Sequence, residues 1–362
     1  MPTPAPTTSC TVVTSSRHSF LQDAESGGSV ASGLRHDGPV LETLSAVALL
    51  VAGAVLLTAG AEAFAEHITD AASRLGVSVL ALGVLLAGAE PEEAVTAMLA
   101  SGQGHPALAA GDAIGANLVI LTVAVGLAAL ITPLPVSRRV MQYAGAAAAA
   151  GAVAVALMWN GVLGRGEGTV LVVLYLAGVV WVWRREKEPP LVGTLAELPE
   201  EERPVPGRRG QGVGEPSRAL LMVLLGALGM VAGGFLAVRG AAGLVGAAGL
   251  TESVVGLTVL ALATSAEMVA LVFAAHRRGV TEVALAGAIG SVAYNSTVTL
   301  GLAAWVDPLL LGRNTPILTV GMVTAALPLV LLAGRRTGSF PRPLGLVLVA
   351  AYLGSTAWLF TL

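Results

Sequence analysis

A shift of 175 residues lays Leu75–Leu134 on Leu250–Leu309 without a gap, with 21 identities in 60 positions. That internal match constrains the fold more than any other feature, because two copies of one unit must be built and joined. Glu92 falls on Glu267 and Ser78 on Ser253. Ala113-Ile114-Gly115 falls on Ala288-Ile289-Gly290, Gly126-Leu127-Ala128-Ala129 on Gly301-Leu302-Ala303-Ala304, and Pro133-Leu134 on Pro308-Leu309. Two apolar stretches share Leu and Ala by composition alone. They do not in that way also share a rare acid and the positions of Gly and Pro.

Both copies are apolar runs of membrane-spanning length. At 55% hydrophobic and 12% charged over 362 residues, with mean hydropathy +0.79, the chain reads as an all-α polytopic membrane protein. A helix needs about 20 apolar residues to cross the hydrocarbon core. Many runs reach that length, and ten are candidate spans: Val40–Phe64, Val77–Ser101, Ala107–Ile131, Val140–Leu163, Thr169–Trp183, Ala219–Leu244, Ser253–Ala275, Val283–Val306, Ile317–Ala333 and Leu344–Leu362. Abundant Gly and Ala predict closely packed helices, since small residues let backbones approach in lipid. The single cysteine, Cys10, excludes an intrachain disulfide and any cysteine-based metal site.

Residues 1–39 are rich in Ser, Thr, Pro and Gly, lack the apolar core of a signal peptide, and read as a disordered tail. Its His18 and His36 read as solvated rather than ligating. Residues 40–184 form the first five-helix membrane repeat, 185–218 a Pro-rich, mixed-charge linker, and 219–362 the second repeat. The acidic run Glu200-Glu201-Glu202 reads as solvated. With ten spans, fifteen of the twenty basic residues fall on the linker side, among them Arg74, Arg138, Arg277, Arg335 and Arg342. The positive-inside rule then makes the linker cytoplasmic and both termini external, in the cell membrane. Five is odd, so the second repeat enters the membrane with inverted polarity, the plan of many secondary transporters.

An acid in the bilayer interior costs roughly 2.5–3.5 kcal/mol on insertion scales and marks a functional site. Glu92 sits in Gly88-Ala89-Glu90-Pro91-Glu92-Glu93 and Glu267 in Ala263-Thr264-Ser265-Ala266-Glu267. Pro91 lacks an amide donor and should break its span, freeing carbonyls beside the carboxylate. The following span of each copy carries Gly111-Asp112-Ala113-Ile114-Gly115-Ala116-Asn117 or Gly287 to Asn295, where Gly115 and Gly290 permit close approach to the acid-bearing helix. Carboxylate, hydroxyl, amide and carbonyl oxygens suit hard cations such as Ca2+, and no intramembrane Cys or neighbouring His offers a soft site. For Asn117 and Ser291 helix–helix hydrogen bonding is the competing role. For Asp112 it is N-terminal capping, and for the two central acids a buried polar clasp.

These residues resemble the cation/calcium exchanger superfamily, whose two repeats carry a "GTSLPE"-like or "GNAxE"-like acid motif followed by "GNxxGSNxxN". Gly88 to Glu92 and Ala263 to Glu267 keep the four-residue acid spacing of the second form, and Thr264-Ser265 keeps the "TS" of the first. Gly111 to Asn117 and Ile289-Gly290-Ser291 through Asn295 are similar to the partner motif. The resemblance implies two inverted five-helix repeats and makes Glu92 and Glu267 the central cation ligands. Several positions depart from the pattern. Ile120 stands where the first copy would match Asn295, Ala89 and Ala116 replace polar positions, and Val292 and Gly287 remove amides from the second copy. Glu90 and Glu93 add carboxylates the pattern does not require. Clustered carboxylates repel, which leaves room for proton coupling.

The expectation is a secondary antiporter exchanging Ca2+ or a related cation for Na+ or H+ by alternating access. Glu92 and Glu267 form the shared site, with Glu90, Thr264, Ser265, Asp112, Asn117, Ser291 and Asn295 supporting it. The transported cations are substrates, and no cofactor is expected. The partners are inorganic cations and the lipid bilayer, with no nucleic acid. A monovalent cation/proton antiporter, a channel and a non-transporting scaffold are the alternatives. An intramembrane enzyme is disfavoured, because the spans hold no His-Glu-x-x-His motif and no Ser/His pair.

Overall fold

The computed structural model describes residues 38–74, 90–186, 216–269, 281–312 and 316–362. The tail with Cys10, His18 and His36, most of the linker, and residues 75–89 lie outside the described residues. The chain divides into two compact units, Met1–Leu41 and Glu42–Leu362. Described residues of the first, 38–41, are helical.

The described residues are overwhelmingly helical. In chain order they form α1 (Gly38–Arg74), α2 (Pro91–Gly102), α3 (Pro106–Ile131), the two-residue strand β1 (Leu134–Pro135), α4 (Arg138–Leu157), β2 (Val162–Leu163) and α5 (Arg165–Glu186). After the linker come α6 (Pro216–Ala248), α7 (Glu252–Thr264), α8 (Thr281–Tyr294, continuing through Asn295–Thr299 into Leu300–Val306), β3 (Leu309–Leu310), α9 (Pro316–Gly334), β4 (Ser339–Phe340) and α10 (Arg342–Leu359). Among the described residues, seven helices are long and apolar enough to cross a membrane.

Two expected spans end differently from their apolar runs. The run Val140–Leu163 is helical only to Leu157, because Gly161, at φ 85°, turns the chain and Val162-Leu163 becomes β2. In α9 the α-helix stops at Ala326 and continues as a 3-10 helix from Leu327, where Pro328 cannot donate to the ladder.

α3 lies at the centre, buried continuously from Leu108 to Thr122. It crosses α7 so closely that a Cβ on Gly115 would stand 2.6 Å from the Leu257 carbonyl oxygen. Gly115 therefore packs on the acid-bearing segment of the other half. A second glycine seam joins α1 and α6. A Cβ on Gly60 would come within 2.6 Å of the Met230 amide nitrogen, and one on Gly226 within 2.6 Å of that of Phe64. Such backbone-to-backbone packing fits the Gly- and Ala-rich composition.

Local details recur at, or within two residues of, the offset seen in the sequence. α3 contains a π-helical turn at Ile120–Ala124 and α8 one at Asn295–Thr299, each 175 residues from its counterpart. Within them the Thr122 hydroxyl donates to the Leu118 carbonyl and the Thr297 hydroxyl to that of Ala293. Strand pairing exchanges the halves: β1 pairs antiparallel with β4 (Leu134 opposite Phe340), and β2 with β3 (Leu163 opposite Leu309). The Arg165 guanidinium donates to the Val306 carbonyl at 3.3 Å, and Arg342 returns the contact to Ile131 at 3.0 Å. Gly126 packs on the Gly345 carbonyl and Gly301 on that of Gly168.

Candidate functional site

The site grows from two non-helical residues at equivalent positions. Glu90 precedes α2 with non-helical backbone (φ −106°, ψ 83°), and Pro91 takes the first helical turn, where its missing amide costs nothing. In the second copy Ser265 ends α7 at φ −84°, ψ 5°, and residues 266–269 are helical again. No proline stands there, so proline is not what the break requires. Nor is the Glu90 carbonyl left free as a ligand: it accepts from the amides of Glu93 at 3.1 Å and Ala94 at 3.3 Å.

Around these breaks the described polar side chains are buried. Glu90, Glu92, Glu93, Asp112, Asn117, Thr264, Ser265, Ser291 and Asn295 are all withdrawn from solvent, and Glu267 is half-buried. Glu92 has Glu267 and Glu90 as its electrostatic neighbours. The two central acids of the two halves are therefore electrostatic neighbours.

Hydrogen bonds in the site run from one half to the other. Asn295 Nδ2 donates to Glu90 Oε2 at 2.9 Å, and Ser291 lies against the same carboxylate. Asn295 is itself oriented by the Thr299 hydroxyl, which donates to Asn295 Oδ1 at 3.0 Å. Ser265 Oγ donates to Glu93 Oε1 at 3.0 Å. Thr264 Oγ1 lies 3.1 Å from Asp112 Oδ1 and 3.2 Å from its own helix's Leu260 carbonyl. It has one proton, and the carboxylate is the stronger acceptor. Asp112 lies six residues beyond Pro106, where α3 begins, too far along to cap it.

Asn117 stands apart from the acids. Its amide donates to Ser296 Oγ at 2.9 Å, a bond between α3 and α8 of the kind expected for helix packing. Sequence reading left Glu93 without a role, yet it is among the most enclosed of the acids. It also missed Ser296, Thr299 and the edge-to-face pair Tyr175–Tyr294 (centroids 5.5 Å apart), which borders Glu90. Adjacency to Glu92 and Asn295 was the available signal for Glu93 and Ser296; the aromatic pair left none.

Buried acids gathered where α2 begins and α7 ends, inside a bundle of helices long and apolar enough to cross a membrane, are an arrangement expected of an ion transporter. The sodium/calcium exchanger protein family matches residues 45–184 and 218–361, and the chain belongs to that family. It is accordingly an ion-exchange antiporter and not an enzyme. Inner membrane protein YrbG of Escherichia coli strain K12 is 26% identical over 327 residues, 88% of this chain and 98% of the relative. A protein of Alkalimonas amylolytica provisionally named antiporter CaxA is 26% identical over 331 residues, 88% and 99% of the two chains. Among solved structures, the sodium-calcium exchanger NCX_Mj soaked with 10 mM Na+ and 10 mM Sr2+ matches with a TM-score of 0.55 and 21% identity. That match covers 87% of this chain and 98% of the other, a likeness of fold.

Proposed function

We propose that the chain is a secondary antiporter exchanging Ca2+, or a related cation, for Na+ or H+ at a site centred on Glu92 and Glu267. The observation that carries this reading is the gathering of buried acids around neighbouring Glu92 and Glu267, with Asn295, Ser265 and Thr264 of one half bonded to Glu90, Glu93 and Asp112 of the other. Ca2+ and the counter-ion compete for the same charges, so binding of one releases the other. Oxygen donors from both halves, Glu90, Ser291, Asn295, Thr264, Ser265 and Asp112, complete a hard-cation environment. Asn117 acts one step removed, through Ser296.

Alternating access follows from two inverted five-helix repeats, 40–184 and 219–362, around this site. The recurrence of π turns, strands and arginine contacts at offsets of 175 to 177 residues supports the repeat. The basic residues support a cytoplasmic linker, external termini and residence in the cell membrane. Radiolabelled Ca2+ uptake into vesicles under an imposed Na+ gradient, then an imposed pH gradient, tests the reading. Uptake driven by one gradient and lost in Glu92→Gln and Glu267→Gln is the expected result. Uptake driven by neither, with exchange of monovalent cations for protons instead, would move the assignment to a monovalent antiporter.

A further inference from the structure

We propose that Tyr175 and Tyr294 are positioning residues for the exchange: an aromatic wall that parts Glu90 from a cleft in the flank of the bundle, so that Glu90 changes its partner only through the exchange cycle. The proposal rests on the reading of the buried acids as the cation site and adds to it what keeps that site closed on this flank.

The two rings meet edge to face, with centroids 5.5 Å apart and planes at 81°, a geometry that aromatic pairs favour. Both are buried. On one side of the pair stand the acids: Glu92 and Glu90 are electrostatic neighbours of Tyr294, and Glu90 is one of Tyr175. Tyr294 directly precedes Asn295, whose amide holds Glu90 Oε2. Ala94 and Val179, with Val298 and Leu302, pack with the two rings into one apolar cluster. On the other side Tyr175 lines a cleft of about 300 Å³ between α4, α5 and α8, shared with Tyr143, Val153, Leu174, Trp181, Ile289 and Thr297.

The cleft reaches toward water. Trp181 is exposed and stands three residues before the exposed Arg184, where α5 runs into the linker. Aromatic and basic side chains at such a helix end mark the level of the lipid headgroups. Tyr175 lies six residues back from Trp181, about 9 Å along the helix. Removing a ring leaves a cavity, and a cavity that uncovers a carboxylate takes up water. The alternating pathway reaches Glu90 from one face of the membrane at a time. A second, permanent route through the cleft would let protons slip past with no cation moving in return, which a closed site prevents.

The halves differ at this wall in step with the acid behind it. α5 packs on the π turn of α8, and α10 on that of α3. Tyr352 of α10 matches Tyr175 at the 177-residue offset that relates Arg165 to Arg342. The residue matching Tyr294 is Val119, however, and the one matching Glu90 is Ser265. The second ring thus accompanies the added carboxylate, and valine stands where a hydroxyl replaces it.

The test is proton movement in vesicles holding the full chain and an internal pH-sensitive dye, under an imposed pH gradient in a choline medium with a permeant anion and no metal cation. Tyr175→Ala and Tyr294→Ala are each expected to pass protons about tenfold faster than wild type or more. Tyr175→Phe and Tyr294→Phe keep the rings and should stay within about twofold of wild type. Adding Glu90→Gln to Tyr294→Ala should abolish the leak, because the route runs through that carboxylate. If an alanine variant loses its thermal unfolding transition in detergent, Tyr175→Leu or Tyr294→Leu carries the test, with a leak of about threefold or more expected. Variants that unfold at lower temperature or exchange more slowly, yet do not leak, overturn the wall. So does an equal leak in the phenylalanine variants, or one that survives Glu90→Gln. Wild-type vesicles in which neither gradient drives cation uptake, beside alanine variants that leak as expected, would sink the exchange reading and leave the wall standing.

Discussion

The two halves share a backbone plan but divide the chemistry unequally. The first half supplies Glu90, Glu92, Glu93 and Asp112; the second supplies one acid, Glu267, with Thr264, Ser265, Ser291, Asn295, Ser296 and Thr299. Position by position, Glu90 stands against Ser265, Ala89 against Thr264, Asp112 against Gly287, Ala116 against Ser291, and Ile120 against Asn295. Charge is concentrated on one side and neutral donors on the other. Bonds from Asn295, Ser265 and Thr264 to Glu90, Glu93 and Asp112 join the two sets. Backbone symmetry can thus survive while side-chain symmetry is lost, provided each half retains what the other needs. Among the described acids of the site, the Glu92–Glu267 pair alone keeps the equivalence.

Substitutions at that pair should have the largest effect and should be equal. Glu92→Gln and Glu267→Gln are each expected to lower gradient-driven cation uptake by roughly a hundredfold, the scale of losing a buried charge partner. A large difference between them in reconstituted vesicles would mean that the pair is not shared evenly.

The unequal positions come next. Asn295→Leu would leave Glu90 Oε2 and the Thr299 hydroxyl without their partner, at a cost of about 1.5–3 kcal/mol in detergent unfolding. Ile120→Asn, at the equivalent place in the first half, should restore nothing, because the acids there belong to its own half. A stability gain from it would contradict the division of labour.

Smaller effects should follow backbone symmetry. A Cβ at Gly301 would meet the Gly168 carbonyl oxygen at 2.7 Å, and one at Gly126 the Gly345 carbonyl oxygen at 3.1 Å. Gly301→Ala and Gly126→Ala should both destabilise, by about 1–3 kcal/mol, with Gly301→Ala the costlier. Least of all, Arg165→Ala and Arg342→Ala, at exposed and reciprocal contacts, should each shift unfolding by no more than about 0.5 kcal/mol.

Much of this could be read from the chain. The internal repeat, the Glu92–Glu267 pair and the helical membrane class follow from hydropathy and from rare residues at fixed offsets, which are local facts. What escaped was tertiary. The break at Ser265 carries no proline, so no local signal announces it. That Gly115 packs on Leu257, and that Ser265 reaches Glu93, depends on how α3, α2 and α7 cross, which spacing along one helix does not encode. Asn160-Gly161 cut the fourth apolar run short because a turn and a strand partner, Leu309-Leu310, compete with helix continuation there.

The strand pairs have a topological consequence. β1 and β2 lie at opposite ends of α4, whose 20 residues make about 30 Å of helix, and each is fastened to a strand of the other half. Severing the chain between residues 187 and 215 would leave both fastenings whole. Coexpressed as two polypeptides, the halves retain a non-covalent route to complementation, and peptide continuity becomes a convenience of synthesis rather than a condition of assembly.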